Sequence, residues 1–227
     1  MTEYKYIGKP AQRVEALEKV MGKAKYVGDM ALPGMLYGRT LRSDLPHAHI
    51  KKLDVSPALK VPGVVAVITS EDFTDHGVFG FPISDLYMLA YEDVRYVGKG
   101  IARVAAETPE AAIEGVKAIL CELEPLPVLL DMDRALDPDA PQVGPTRPDG
   151  KHPNFLGHYP VYQGNPEEKL KECDVVIDQQ YETVNQEHAY IETEGGLAIP
   201  TTEGGVVVYL SCQSPFIPRG HICRVLS

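Results

Sequence analysis

Two short stretches concentrate side chains that could do chemistry. Gln186-Glu187-His188-Ala189-Tyr190-Ile191-Glu192 gathers an amide, two carboxylates and an imidazole. It lacks the second His of HExxH, which excludes a zinc-protease helix. His188 and Glu192 can instead act as hydrogen-bonding partners behind a site. The second stretch, Ser211-Cys212-Gln213-Ser214-Pro215-Phe216, follows an apolar strand-like run. A Gln at a strand end before Pro can aim its amide at a bound group, donating or accepting. On residue chemistry alone, the plainer reading of both as ordinary polar surface stays open.

Other patterns carry less. Gly98-Lys99-Gly100 lacks the third Gly and the following helix of a dinucleotide loop, since Arg103 stands there and a strand follows, so it reads as a tight strand-to-strand turn. His47-Ala48-His49 would share one face of a strand, yet no third metal ligand stands nearby, so it reads as a surface or packing pair. No Ser-His-Asp arrangement, CxxC frame or carboxylate pair placed for acid–base work is readable.

The elements that must position these groups fall into two parts. Pro138, Pro141, Pro145, Pro148, Pro153 and Pro160, interleaved with Asp and Gly, read as a crossing linker. The expected division is an N-terminal extension (1–19), a first domain (20–135), a Pro-rich linker (136–160) and a second segment (161–227). In the first domain, Met35–Ser43, Val64–Thr69, Val94–Val97 and Ile101–Ala106 read as strands, with a helical turn at Ser56–Lys60. Thr108 as N-cap, Pro109 and Glu110 open a helix whose stripe is Ala112, Ile113, Val116, Ile119, Leu120 and Leu123, stopped by Pro125 and Pro127. In the second segment, Asn165, Pro166 and Glu168 spell a capping box. Val175–Val184 alternates like a half-buried strand. Gly196–Ile199 and Val206–Ser211 follow as strands around Glu203-Gly204-Gly205, and Pro218–Ser227 reads as a helix just begun, its apolar side Ile222, Val225 and Leu226. The pattern is α+β.

Composition narrows the class. The 227 residues carry 22 basic and 32 acidic side chains, a net charge of -10, which argues against a nucleic-acid partner. Hydrophobic residues at 44% suffice for a core. No apolar run approaches membrane-span length and no signal core is present. Cys121, Cys173, Cys212 and Cys223 are widely spaced, as in a reduced cytoplasmic protein.

Read in order, the residues resemble a known family. Ile7-Gly8-Lys9-Pro10 with Glu18 to Tyr26, Arg42-Ser43-Asp44-Leu45-Pro46-His47-Ala48-His49-Ile50, Pro62 to Val67, Ser70-Glu71-Asp72-Phe73, Val94 to Gly98, Ala102 to Ala106, Glu110-Ala111-Ala112 and Leu126-Pro127-Val128 are similar to the N-terminal part of the large, molybdenum-binding subunit of the xanthine dehydrogenase/aldehyde oxidase family. Gln186-Glu187-His188 with Glu192 resembles its QEHxxxE stretch, and Ser211 to Pro215 its STQxP stretch. Cys212 replaces the usual Thr, and Asn165 stands where many relatives carry Asp.

The resemblance implies an α/β hammerhead domain followed by the beginning of a molybdopterin-binding α+β domain. It implies a molybdenum–molybdopterin cofactor shared with the remainder of the large subunit, and 2Fe-2S clusters and FAD on partner subunits. Gln213 and Ser214 would touch the cofactor, with Glu187, His188 and Glu192 behind them. No residue of this chain would be catalytic or ligate metal; the family's carboxylate base and GGFGG segment would lie beyond it, so the chain is expected to be an incomplete subunit. The substrate would be an aldehyde, purine or N-heterocycle-type molecule, with an aromatic CoA thioester also open. The alternative is a non-catalytic scaffold or interaction module keeping the hammerhead fold.

Overall fold

The computed structural model describes residues 4–80, 84–144 and 151–226. Pro145, Pro148 and Ser227, named above, lie outside the described residues. In chain order the first elements are α1 (Ala16–Val20), β1 (Tyr37–Arg42), β2 (Ala48–Asp54), β3 (Val64–Ile68), β4 (Val78–Phe79) and β5 (Leu86–Tyr87). Next come β6 (Asp93–Val94), β7 (Gly100–Ala106), α2 (Pro109–Ala118) and β8 (Leu120–Pro125). The last are α3 (Pro166–Leu170), β9 (Gly196–Pro200), β10 (Val206–Leu210) and α4 (Phe216–Leu226). The chain forms two compact units, one of residues 1–33 with 186–215, the other of 34–185 with 216–227.

The larger unit holds the α/β core. One antiparallel sheet has the order β1-β7-β3, a second β6-β2-β8. The pairing of β1 with β7 slips between Leu41 and Arg42, so that Leu41 faces Ala102 while Arg42 faces Gly100. The extra residue, Ile101, joins a cluster with Ala48, Ala90 and Val94, while Ala102 and Val104 join Ala58 and Ile119 in another. A bulge redirects one side chain in this way. Helix α2 packs on β1 and β7. Thr108 Oγ1 accepts the Ala111 N–H at 3.1 Å and Pro109 fills the first turn, as the sequence predicts.

Helix and sheet meet closely at Gly115: a Cβ there would stand 2.8 Å from Val104 Cγ1 and 2.9 Å from Val64 Cγ2. The buried face of α2 is therefore Ala112 and Gly115, with Ile119 at its end, while Ile113, expected on the stripe, is 39% exposed. The helix also stops earlier than expected. Ile119 turns extended, and Leu120 and Leu123 belong to β8, whose Cys121 and Leu123 point inward and Glu122 and Glu124 outward. An apolar run read at helical spacing also fits alternation, and pairing with β2 decides the outcome.

Other expectations are corrected. β6 and β7 do not form a hairpin around Gly98-Lys99-Gly100, because β6 pairs with β2 and β7 with β1 and β3. The Arg42–Ile50 motif spans two elements, since Arg42 ends β1 and Ala48 begins β2. Residues 175–184 form no strand; their alternating apolar side chains are exposed, Ile177 at 79% and Tyr181 at 81%, and none of the described residues pairs with them. A strand pattern becomes a strand only with a neighbour to complete its ladder. Asn165 Oδ1 accepts the Glu168 N–H at 3.3 Å, but the reciprocal half of the box is absent, because Glu168 accepts from Lys171 Nζ at 3.0 Å. Helix α4 starts at Phe216, two residues before the expected Pro218; Val225 is buried, and Leu226 is exposed.

The smaller unit contains α1, a 3₁₀ turn at Val27–Asp29 and the antiparallel hairpin of β9 and β10. Its turn is closed by Thr201 N–H to Gly205 O (2.8 Å) and Gly205 N–H to Thr201 Oγ1 (3.0 Å). Gly204 adopts φ +81°, which a side chain would resist.

Candidate functional site

The five residues singled out in the sequence all fall in the smaller unit. Strand β10 carries the chain to Ser211, after which Cys212 and Gln213 are exposed and Ser214 is half-buried. Glu187 and His188 lie in an exposed irregular stretch, and Glu192 is half-buried. Ala189, between His188 and Tyr190, takes φ +47°, a left-handed conformation unfavourable for a residue with a Cβ.

Glu192 lines a cavity of about 360 Å³ with Tyr26, Asp29, Thr193 and Glu194. One oxygen of Asp29 accepts the Tyr26 N–H at 3.0 Å. Three carboxylates and no lysine or arginine make this cavity unsuited to a phosphate. Gln213, Ser214, Glu187 and His188 do not line it. Among the described residues, none of the five hydrogen-bonds another through its side chain. The fold thus brings both stretches into one unit, and of the five residues Glu192 alone lines this cavity.

Ser211, not singled out as a site residue from sequence, adds to the picture. Its Oγ is buried with no hydrogen-bond partner among the described residues. A buried hydroxyl left unpaired costs about 1–3 kcal/mol. The only signal in the sequence is a hydroxyl at the end of a partly buried strand, two residues before Gln213.

The other patterns resolve as structure. His47 is buried with Nδ1 2.6 Å from Pro127 O, and His49 Nδ1 lies 2.9 Å from Asp93 Oδ1, so the two imidazoles serve packing and strand pairing. Among the described residues, no three His, Cys, Asp or Glu side chains are placed to hold one metal ion, the carboxylates of the Glu192 cavity included. Lys99 is only 8% exposed and donates to Tyr87 O. Burial, then the nearby Arg95 cation, lowers its pKa from the ordinary lysine value. Burial, then Asp44, raises that of the Cys121 thiol. Elsewhere Tyr91 stacks on His76 at 3.7 Å, and the Glu92 carboxylate, then burial, push its phenol up.

Comparison with known proteins gives two consecutive family matches. Residues 21–127 match the aldehyde oxidase and xanthine dehydrogenase a/b hammerhead domain, and residues 148–227 the molybdopterin cofactor-binding domain. The chain is 39% identical over 220 residues to a probable xanthine dehydrogenase component of Bacillus subtilis, covering 96% of this chain and 29% of that protein. It is 36% identical over 226 residues to the nicotinate dehydrogenase large molybdopterin subunit of Eubacterium barkeri, covering 99% of this chain and 52% of that one. Among solved structures, the aldehyde oxidoreductase of Desulfovibrio gigas superposes with a TM-score of 0.68 at 26% identity, over 87% of this chain and 23% of that one. The chain spans about half or less of the length of these relatives. No helix among the described residues is long and apolar enough to cross a membrane.

Proposed function

This chain belongs to the xanthine dehydrogenase/aldehyde oxidase family of molybdenum hydroxylases, and we propose that it supplies the hammerhead scaffold and one wall of the molybdenum site in an oxidoreductase acting on a small aldehyde, purine or N-heterocycle. The consecutive match to a hammerhead and a cofactor-binding domain carries this reading. The reading extends to its partners: the remainder of the large subunit, an iron–sulfur subunit and an FAD subunit. Four free cysteines suit the reducing cytoplasm as its location.

The residues present fit the hydrogen-bonding edge of molybdopterin. Gln213 offers an exposed amide, and the buried Ser211 hydroxyl has no partner among the described residues. When bound, the cofactor supplies a metal centre that accepts two electrons from the substrate. Gln213 would donate through its amide N–H to the cofactor, and Ser214 would add a second polar contact. Glu187, His188 and Glu192, which hydrogen-bond neither of them through their side chains here, would stand behind that wall only once the cofactor is bound. A hydrogen bond aimed at a metal centre from behind its ligands typically sets activity or affinity by 10–100-fold.

In the assembled enzyme, Gln213→Ala is expected to lower kcat by about 10–100-fold with molybdenum content unchanged. Unchanged turnover would remove Gln213 from the site. Molybdenum, iron and flavin co-purifying with the chain from its own cells support the enzyme. A stable monomer lacking metal and partners would instead support the scaffold module, or a bare fragment of the enzyme.

A further inference from the structure

The outer face of the β1-β7-β3 sheet, opposite α2, carries a small cationic pocket that the proposed molybdenum site does not use. The register sets Thr40 opposite Arg103 across β1 and β7, Ile68 opposite Arg103 across β3 and β7, and Arg42 opposite Gly100 after the bulge. Thr40, Arg42, Arg103 and Tyr96 line a pocket of about 120 Å³, closed on its apolar side by Met88 and Leu89. Two guanidinium groups therefore stand at one opening.

Each is held by one nitrogen and has donors to spare. Arg103 Nε donates to Thr40 Oγ1 at 3.1 Å, leaving both terminal nitrogens. Arg42 Nη1 donates to Gly98 O at 2.7 Å, leaving Nη2 and Nε. Neither pairs with a carboxylate among the described residues, and no carboxylate lines the pocket. In a chain of net charge -10, such an unneutralised pair is a local exception. Arginine's fork matches an oxyanion bidentately.

The floor is kept open by glycine. A Cβ on Gly100 would stand 3.0 Å from Thr40 Cγ2 and 3.3 Å from Leu89 Cδ2. A side chain there would press on Thr40 and Leu89, both of which line the pocket. The volume is well below the roughly 300–1,000 Å³ of a pocket for a drug-sized ligand, so it suits one anionic group rather than a pterin or a nucleotide.

We propose that this pocket binds a phosphate group, free or as the terminus of a small phosphomonoester, between Arg42 and Arg103. The test is calorimetric titration of the purified protein with inorganic phosphate and with phenyl phosphate, against chloride at matched ionic strength. One phosphate per chain is expected, with binding weakened at least tenfold in Arg103→Gln and in Gly100→Ala. Tighter binding of phenyl phosphate assigns the site to a monoester, and equal binding assigns it to the free ion; both support the site. Arg103 is exposed, so Arg103→Gln leaves the fold intact, checked by circular dichroism, even where Gly100→Ala does not. Binding no stronger than that of chloride, or equal binding by the parent and a folded Arg103→Gln, would overturn the proposal. Because the pocket shares no residue with the Gln213 wall, its failure leaves the molybdenum reading untouched.

Discussion

The sheet under α2 and the stretch from residue 155 to 192 both carry valine and isoleucine in strand-like runs, and they end in opposite states. In the first, Ala102, Val104 and Ala106 are fully buried. In the second, Tyr162, Val175, Ile177, Tyr181 and Val184 are all exposed. Local pattern does not separate the two. What separates them is whether another element of the chain covers the apolar face: α2 covers the sheet, and among the described residues nothing pairs with residues 175–184. Burial is what converts an apolar pattern into stability, at about 25 cal/mol per Å² removed from water.

The sharpest way to break this contrast is to place the same kind of change in each region. Gly115→Val forces methyl groups into a site where a single Cβ would already stand 2.8 Å from Val104 Cγ1. It should destabilise the larger unit by about 2–4 kcal/mol, read by urea denaturation. Val184→Asp, at a position 89% exposed, should change that stability by less than about 0.5 kcal/mol. Together with Ile177→Asp it should reduce concentration-dependent association seen by light scattering, since exposed apolar patches drive association. A large loss of stability from Val184→Asp would mean that the stretch packs on the core after all.

A second test uses charge within the larger unit. Lys99 is buried against Tyr87 O and beside Arg95, and its pKa lies below the ordinary lysine value. The unfolded chain therefore binds the proton more tightly. Between the lowered folded pKa and the unfolded value, stability rises with pH; below that window the full cost of the buried charge is present. Lys99→Met removes this dependence. The parent should gain stability relative to Lys99→Met as pH rises toward the ordinary lysine value, measured as paired Tm values. A gap that stays constant with pH would mean that Lys99 carries no such cost.

Legibility from sequence divides along the same line. The Thr108 cap, the β7 strand and the β9–β10 hairpin were readable because local chemistry determines them: a hydroxyl before Pro, a short apolar run after a Gly-Lys-Gly turn, and a Glu-Gly-Gly turn. The early end of α2, the separation of β6 from β7 and the absence of a strand at 175–184 were not, because each depends on which distant segment supplies a partner. At the candidate site, the Gln213 stretch was legible as a polar run after a strand. The unpartnered Ser211 hydroxyl and the paired guanidiniums of Arg42 and Arg103 were not, since burial and cross-strand register decide them.

The smallest effects test whether a local signal is worth the same in both surroundings. Thr108 and Asn165 are each an N-cap followed by Pro, accepting an N–H three residues on, at 3.1 and 3.3 Å. Chemistry alone predicts similar losses on removal, near 1 kcal/mol. Yet α2 spans ten residues and docks on a sheet, whereas α3 has five residues, none of them buried. A helix that short is marginal without packing, so its fraying is weakly coupled to global unfolding. Thr108→Ala should therefore cost about 1 kcal/mol in urea denaturation, and Asn165→Ala no more than a few tenths. Hydrogen exchange at Ala111 and Glu168 gives the local counterpart: slow exchange that accelerates in Thr108→Ala, and fast exchange in both parent and Asn165→Ala. Equal global losses from the two substitutions would mean that α3 unfolds together with the core, and that a cap's worth does not depend on what its helix packs against.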